Sequence, residues 1–442
     1  MSLTIDGTIL TATDPGYDDA RRLFPGHIDA HPTLIARVSG PEDIARVIAY
    51  AREQELPLAI RGGGHGLAGH GVSDGVVIDL SALRSLAIDT ERRAAWAGAG
   101  LSTGDYTAAV GEHGLATGFG DTGTVGIGGI TLAGGIGYLV RRHGMTIDNL
   151  LAAEIVTADG QRRRVDAERE PELFWALRGG GGNFGVVTRL KYRLHPVGTV
   201  FGGPLVLPAT PAVIAGFVAA AAAAPEELSA IATVMNAPPM PFLPEAVHGT
   251  PVVLATIVSA DERALQPFRA LAAPIADLIR PQPYPELFAE SRPDHRLGIA
   301  ARTMFAHNVT EGQAQAIFER LGQTAAPLAA CEIRVLGGAL ARVPADATAF
   351  AHRSRRIMIN VVAMHDPGAA REQHLAWVRG LADALDDGAP GAYVGFLSDE
   401  GEAGVRAAYP GETGERLAAV KAQYDPDNVF RHNHNVARGV LT

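Results

Sequence analysis

The chain has a single cysteine, Cys331, so it can form no internal disulfide and no cysteine-based metal cluster. That usage suits a reducing compartment. No apolar run reaches the roughly 18 residues that a membrane-spanning helix needs, and no membrane partner is expected. The opening stretch MSLTIDGTILTATDPGYDDA has neither a basic start nor an apolar core. A secretory signal is therefore not expected, and the expected location is cytoplasmic. Basic charge is outweighed, with 38 Lys and Arg against 48 Asp and Glu and a net charge of −10, which argues against a nucleic-acid partner. Lysine is almost missing; Lys191 and Lys421 stand among many arginines, a bias that fits a GC-rich bacterial genome.

Glycine is abundant instead, at 52 residues, in a chain of 442 residues that is 47% hydrophobic and long enough for two or three domains with large cores. The glycines cluster. Arg61-Gly62-Gly63-Gly64-His65-Gly66 follows the apolar Leu58–Ile60, and Arg178 opens a run of four glycines before Asn183-Phe184. Between them, residues 118–137 (GFGDTGTVGIGGITLAGGIG) hold nine glycines in twenty positions, too many for a continuous helix, and are expected to form tight turns. Without a Cβ, such loops bring backbone N–H groups close to a ligand and can neutralise phosphate oxygens without lysine. Three of them in the first 190 residues point to a bound diphosphate. The dinucleotide fingerprint of the Rossmann fold fits poorly, because Thr131 stands where its third glycine belongs. His65 is a nucleophile inside one cradle, although a loop histidine bonded to backbone would look the same in isolation.

Around these loops the pattern is α+β. Leu34–Val38 reads as a short strand. Pro41-Glu42-Asp43 then starts a helix, with proline at its first position and acids in its first turn. Ile44, Val47, Ile48 and Ala51 recur on one face of that helix. Strands are expected at Leu58–Ile60, Val76–Asp79, around Trp96, at Ala153–Thr157 and at Val186–Leu190. Ser102 should cap a helix running to about His113. Beyond Pro196 the texture changes to longer helical patterns without a glycine cradle. The chain ends in the polar and aromatic stretch Tyr424-Asp-Pro-Asp-Asn428-Val-Phe430-Arg-His-Asn433-His-Asn435. No third ligand accompanies His432 and His434, so no metal site is expected.

Four segments in order, RGGGHGLAGHGVSDGVVIDLSAL, GDTGTVGIGGITLAGGIGYLVRRHGMTIDNLLAAEIVTADG, ELFWALRGGGGNFGVVT and YDPDNVFRHNHNV, resemble the berberine-bridge-enzyme-like oxidases of the vanillyl-alcohol-oxidase, or PCMH-type, FAD fold. The likeness is strong over residues 30–200 and partial over 345–442. It implies a two-subdomain PCMH-type FAD-binding domain over 1–200. It also implies a substrate domain over 201–410, with an antiparallel sheet and covering helices, and a C-terminal segment, 411–442, returning to the FAD domain. It implies a flavoprotein with His65 as covalent tether, cradled by Arg61, Gly62, Gly63, Gly64 and Gly66. Thr124, Gly126, Gly128, Gly129, Thr131, Gly134 and Gly137 match the pyrophosphate and ribityl loop. Asp148 and Val156 match the adenosine end, and Asn183 and Phe184 a loop near the flavin edge. Tyr424, Asn433 and Asn435 match the segment that folds over the isoalloxazine. Thr122 stands where doubly linked relatives carry cysteine, so a mono-covalent FAD is implied. Val125 matches a small residue that leaves room for dioxygen.

The activity implied is an oxidoreductase that oxidises an alcohol, amine or related C–H of a small-molecule substrate by hydride transfer to flavin N5. Dioxygen would reoxidise the flavin, giving hydrogen peroxide. The protein supplies position and electrostatics while the flavin carries the redox chemistry. A proton acceptor is also needed. Tyr393, on an expected strand in the substrate domain, Tyr138 after the glycine loop, and His352 are the catalytic candidates. A dehydrogenase with another acceptor and a non-catalytic flavin binder are the competing readings. Substrate identity and oligomeric state stay open.

Overall fold

The computed structural model describes residues 3–288, 296–388 and 390–441. Its first sheet is built around a parallel core. Leu34–Arg37, Val76–Asp79 and Leu58–Arg61 lie side by side in that order, in parallel, with Thr8–Leu10 added antiparallel at the edge. The helix Pro41–Glu53 makes the crossover between the first and third of these strands. Gly40, Pro41 and the acids of the first turn start it, and Ile44, Val47, Ile48 and Ala51 form its buried face. That face packs on Ala36, Val76 and Ile78 of the sheet. The topology delivers the Leu58–Arg61 strand, at its C-terminal end, straight into the glycine loop that carries His65.

A second, five-stranded antiparallel sheet runs Leu86–Asp89, Ala94–Gly98, Val186–Arg193, Leu150–Val156, Arg162–Asp166. Ser102 caps the helix Thr103–Gly111 in a capping box with Asp105. The glycine-rich stretch 118–137 is not turns throughout, as its composition suggests. Ile127–Ala133 forms a helix of seven residues, bounded by Gly126 and by Gly134 at φ +137°. Gly128 is tolerated inside it because the helix presses on Ala99, where a Cβ would meet the Ala99 carbonyl at 3.1 Å.

The third sheet is large and antiparallel. Its order is Ala276–Asp277, Thr199–Pro208, Pro251–Ser259, Ser229–Asn236, Leu328–Val335, Ile357–His365, Gly298–Ala306, with Arg280–Pro283 also paired to Thr199–Pro208. Side chains alternate across it. One face carries Ala232, Val234, Cys331, Ile333, Ile359 and Val361 under the helices Pro211–Ala223, Glu311–Leu321 and Arg371–Leu385. The lone thiol, Cys331, is therefore a core residue under helices. The opposite face meets the glycine-rich unit. Phe305, Met358 and Leu336 pack on Ile136, Val140 and Met145, while Ile231 and Val258 pack with Tyr138 and Leu139.

Residues 392–397, expected as a strand bearing Tyr393, form a loop closed by the single turn Val394–Phe396. Gly391, at φ +154°, and the turn break any ladder, and Ala392, Val394 and Leu397 pack toward the helical core of the first unit. The helix Glu412–Tyr424 then returns to that unit, burying Leu417, Val420 and Tyr424. Among the described residues no helix is long and apolar enough to cross a membrane.

Several histidines are held neutral by packing. His143 stacks on His195 at 3.9 Å, and burial lowers both pKa values to about 4. His352 is buried against Phe305 and Phe350 and is likewise lowered to about 4 by burial. The unfolded chain takes up these protons near 6.5 and the folded one only near 4, so stability falls as pH drops through that window and is full above it. Denaturant melts of the flavin-loaded protein should show a midpoint that is flat near neutrality and declines from about pH 6.5 toward 4. A His143→Phe, His195→Phe double variant, which keeps the stack, should flatten that slope.

Candidate active site

Two glycine loops meet backbone to backbone at the centre of the first unit. A Cβ built on Gly63 would lie 2.2 Å from the Gly126 nitrogen, and one on Gly126 would lie 2.3 Å from the Gly63 nitrogen. Only glycine fits at either position. Beside this contact the backbone is open: a Cβ on Gly129 or Gly66 would meet nothing within 4 Å, and one on Gly62 only the Gly129 nitrogen at 3.8 Å. Closed contact at Gly63 and Gly126 with open flanks at Gly62, Gly66 and Gly129 makes a cradle. Gly64, at φ +72°, turns the loop, and His65 stacks on the ring of Phe24 with centroids 4.8 Å apart. Arg61 lines a cavity of about 380 Å³ with Gly62, Arg37 and Asp79. Burial lowers its pKa, which Asp79 partly opposes.

The C-terminal segment is tied to the third glycine loop. Asn183 donates from Nδ2 to the carbonyls of Gly180 (2.9 Å) and His434 (3.0 Å) and accepts from the Val436 amide (3.2 Å). Asn433 donates to the carbonyls of Gly182 and Phe430, and its Oδ1 is buried with no protein partner. Asn435 accepts from the Ala437 amide at 3.0 Å. Lys421, one of the two lysines, binds the carbonyls of Asn183 and Phe430 at 2.8 Å each and the Asp425 carboxylate at 2.6 Å. The orphaned Asn433 oxygen and the open glycines fit a polar ligand with a flexible chain, such as the diphosphate and ribityl parts of FAD.

Several expected ligand residues have other duties. The Thr131 hydroxyl bonds Tyr192 at 2.7 Å inside the core, and Phe184 and Val156 are fully buried core residues. Both Asp148 oxygens are held by Arg353 at 2.7 Å, a buried bidentate pair, and one also caps the Met145 amide. Tyr424 bonds Glu170 and lines a surface cleft with Arg52, Arg163 and Asp427. Gly137 is needed structurally, since a Cβ there would lie 2.2 Å from the carbonyls of Phe119 and Gly120. Gly134 faces Tyr393, with its Cβ position 3.1 Å from that ring. Thr122 is exposed and bonds Asp121 at 3.0 Å, while the carbonyl of half-buried Val125 accepts from the Thr103 amide. Thr124 is half-buried.

Of the catalytic candidates, His352 donates from Nε2 to the carbonyls of Ala407 and Ala408 and is a packing residue. The Tyr393 oxygen accepts from the Gly135 amide at 2.9 Å, and burial pushes its pKa up to about 12. Tyr138 packs edge-on to Phe288, with burial and the nearby Asp121 raising its pKa.

The strongest charge cluster at the junction of the two units was not legible in any motif. Arg334 of the strand Leu328–Val335 reaches Asp121 of the glycine-rich stretch at 2.6 Å, Glu332 at 2.6 Å and the Ile136 carbonyl at 3.2 Å. Burial raises the Glu332 pKa and Arg334 opposes it; burial alone would lower that of Arg334, but the two carboxylates more than offset this and raise it. Glu332 lies in a cross-strand row, Thr303–Asn360–Glu332–Thr233, on the sheet face turned to the cradle. Asn360 Oδ1 and Thr303 Oγ1 are buried there with no protein partner. Alternation was the available signal: polar residues at 332, 360 and 303, with Arg334 and Arg302 beside them, interrupt strands that are mostly apolar.

Comparison with known proteins agrees with this geometry. Residues 32–166 match the FAD binding domain family, and residues 392–437 match the family described as berberine and berberine like. The (R)-6-hydroxynicotine oxidase of Paenarthrobacter nicotinovorans is 29% identical over 98% of this chain and 97% of its own. An FAD-linked oxidoreductase of Bacillus subtilis, YgaK, is 28% identical over 98% and 97%. The crystal structure of 6-hydroxy-D-nicotine oxidase from Arthrobacter nicotinovorans superposes with TM-score 0.88 at 26% identity, covering 98% of each chain. A xylooligosaccharide oxidase from Myceliophthora thermophila shares the fold at TM-score 0.85 and 21% identity. The protein is an FAD-linked oxidoreductase. Its N-terminal and C-terminal parts resemble the berberine-bridge-enzyme-like proteins.

Removing the cation from the junction should be costly, because it leaves two carboxylates facing each other without compensation. Arg334→Met is expected to lose about 3–5 kcal/mol in urea unfolding. Arg334→Met combined with Asp121→Asn and Glu332→Gln should recover most of it.

Proposed function

We propose that the protein is an oxidase that takes a hydride from a C–H next to a hydroxyl or amine nitrogen and returns the electrons to dioxygen. The observation carrying this reading is the polar row facing the cradle, with two buried oxygens that lack protein partners. FAD, when bound, supplies the acceptor for the hydride. Asn360 and Thr303 would hold the O–H or N–H of the substrate, since Asn360 Oδ1 can only accept a hydrogen bond. Glu332 would take the proton. Burial raises its pKa, against the opposing pull of Arg334, which makes the carboxylate a stronger base. Tyr393, committed to the Gly135 amide, would hold the glycine loop against the sheet, and Tyr138 would bound the pocket with Phe288. The nicotine oxidase named above is an amine-substrate precedent, and the xylooligosaccharide oxidase a carbohydrate one.

His65 would carry FAD by a single bond. Thr122 stands where a second, cysteinyl link would arise, and Cys331 is buried on the far face of the large sheet. Val125, half-buried on the cradle, would leave dioxygen room to approach.

Anaerobic mixing with a panel of amines and alcohols, read at the flavin absorbance band, should bleach the cofactor, and air should restore it within seconds. Bleached flavin that persists for minutes in air would instead identify a dehydrogenase. Glu332→Gln should keep its flavin yet slow bleaching on the order of 10² to 10⁴-fold. An unchanged bleaching rate would remove Glu332 from the mechanism. His65→Ala should release all flavin on acid precipitation while still folding.

A further inference from the structure

Phe24 is one of three large apolar side chains left exposed among the described residues, at 37%. It is also the residue whose ring lies on His65, at 4.8 Å between centroids and 18° between planes. The short segment around it clasps the histidine loop at several points. Its own amide donates to the Gly64 carbonyl at 2.9 Å. Leu23 fills the space above Gly64 and Gly71, and Ile28 the space above Gly69. On its other side the segment is tied to the substrate unit. The Gly26 amide donates to the Leu297 carbonyl at 2.8 Å, and His27 Nδ1 accepts from the Ile299 amide at 3.2 Å. Burial lowers the His27 pKa to about 4, so it keeps that acceptor lone pair at neutral pH.

We infer that Phe24 is a positioning residue for flavin attachment: its ring fixes the plane of the His65 imidazole so that a ring nitrogen is aimed at the flavin methyl carbon. This rests on the reading of His65 as the tether. The chemistry explains why the plane matters. The nucleophilic lone pair of an imidazole nitrogen lies in the ring plane, so a ring free to swing about its Cβ–Cγ bond seldom points that lone pair at one carbon. A stacked neighbour restrains that rotation. In the step itself the 8α-methyl carbon would lose one hydrogen as a proton and bond to the imidazole nitrogen that carries the lone pair, while the other ring nitrogen sheds its N–H proton. The flavin is left two electrons reduced. Dioxygen then takes both electrons with two protons and leaves as hydrogen peroxide, restoring the oxidised ring. A residue that acts only by aiming His65 should change how fast the bond forms and not how well dissociable FAD is held.

The test compares wild type with Phe24→Leu, which keeps apolar bulk but loses the stack, and with Phe24→Tyr, which keeps the ring. The acid-stable flavin fraction is read by fluorescence on denaturing gels, as purified and during incubation with FAD in air. Phe24→Leu should form the bond on the order of tenfold more slowly, the scale set by one aromatic pair. Its FAD affinity before attachment and its thermal midpoint should match wild type, and Phe24→Tyr should attach at the wild-type rate. Wild-type attachment kinetics in Phe24→Leu would overturn the role of Phe24 and leave the tether standing. Wild-type protein without acid-stable flavin would overturn both. Equal loss of attachment and of dissociable FAD binding would show a merely structural part for Phe24 and overturn the inference.

Discussion

The contact between Gly63 and Gly126 is the constraint on which the rest of the site depends. It joins a loop leaving the parallel sheet to a loop entering the helix beside the antiparallel sheet, at a distance that only two glycines allow. Because the two backbones touch there, the amides flanking the contact are displayed around one opening. That opening receives His65 from one loop and the first turn of Ile127–Ala133 from the other. An alanine at either position would push the two sheets' loops apart and enlarge the cradle, whatever happened to the cores beneath. The C-terminal segment then fits over an edge already defined, pinned by Asn183 and by Lys421, whose three partners come from two separate stretches of chain.

Much of this was legible in the sequence, and for identifiable reasons. Glycine runs, a proline-led helix at Pro41 and the Ser102 cap are local signals, and each element they announce is present. The glycine loops carry their chemistry in consecutive residues, so their order along the chain resembles a family even without coordinates. The substrate face is different. Thr303, Asn360, Glu332 and Thr233 sit on four strands, neighbours only through antiparallel pairing across a sheet whose order does not follow the chain. No local window contains two of them. Tyr393 shows the opposite error. A short run of apolar and aromatic residues resembles a strand, but Gly391, at φ +154°, and the turn at Val394–Phe396 make it a loop whose tyrosine serves as a hydrogen-bond acceptor for the glycine stretch.

The large sheet divides its labour by face. Helices cover one side with an alternating apolar set that includes Cys331, and this side carries stability. The side turned to the cradle is apolar at its margins, through Phe305 and Met358 on one flank and Ile231 and Val258 on the other. Polar and charged groups are confined to the middle. Shifting any one strand by a single residue would exchange these sets and bury Glu332 or Asn360 under helices without a partner. The register of the substrate strands is therefore held by the stability core, and the polar row inherits its geometry from it.

Asp121 ties the two units through charge. Its carboxylate belongs to the glycine-rich stretch, while Arg334 and Glu332 belong to the sheet, so the ion pair forms only when the two units are docked. Burying Arg334 between two half-buried carboxylates is expensive and contributes little net stability when a packed apolar alternative would do. The charges also act on Glu332. Arg334 opposes the rise in pKa that burial imposes on that carboxyl, and Asp121 opposes Arg334. The result is a carboxylate held between two influences, one favouring its proton and one its charge. The base proposed above would accept a proton in one half-reaction and lose it in the next, and opposing influences on one carboxyl suit that exchange.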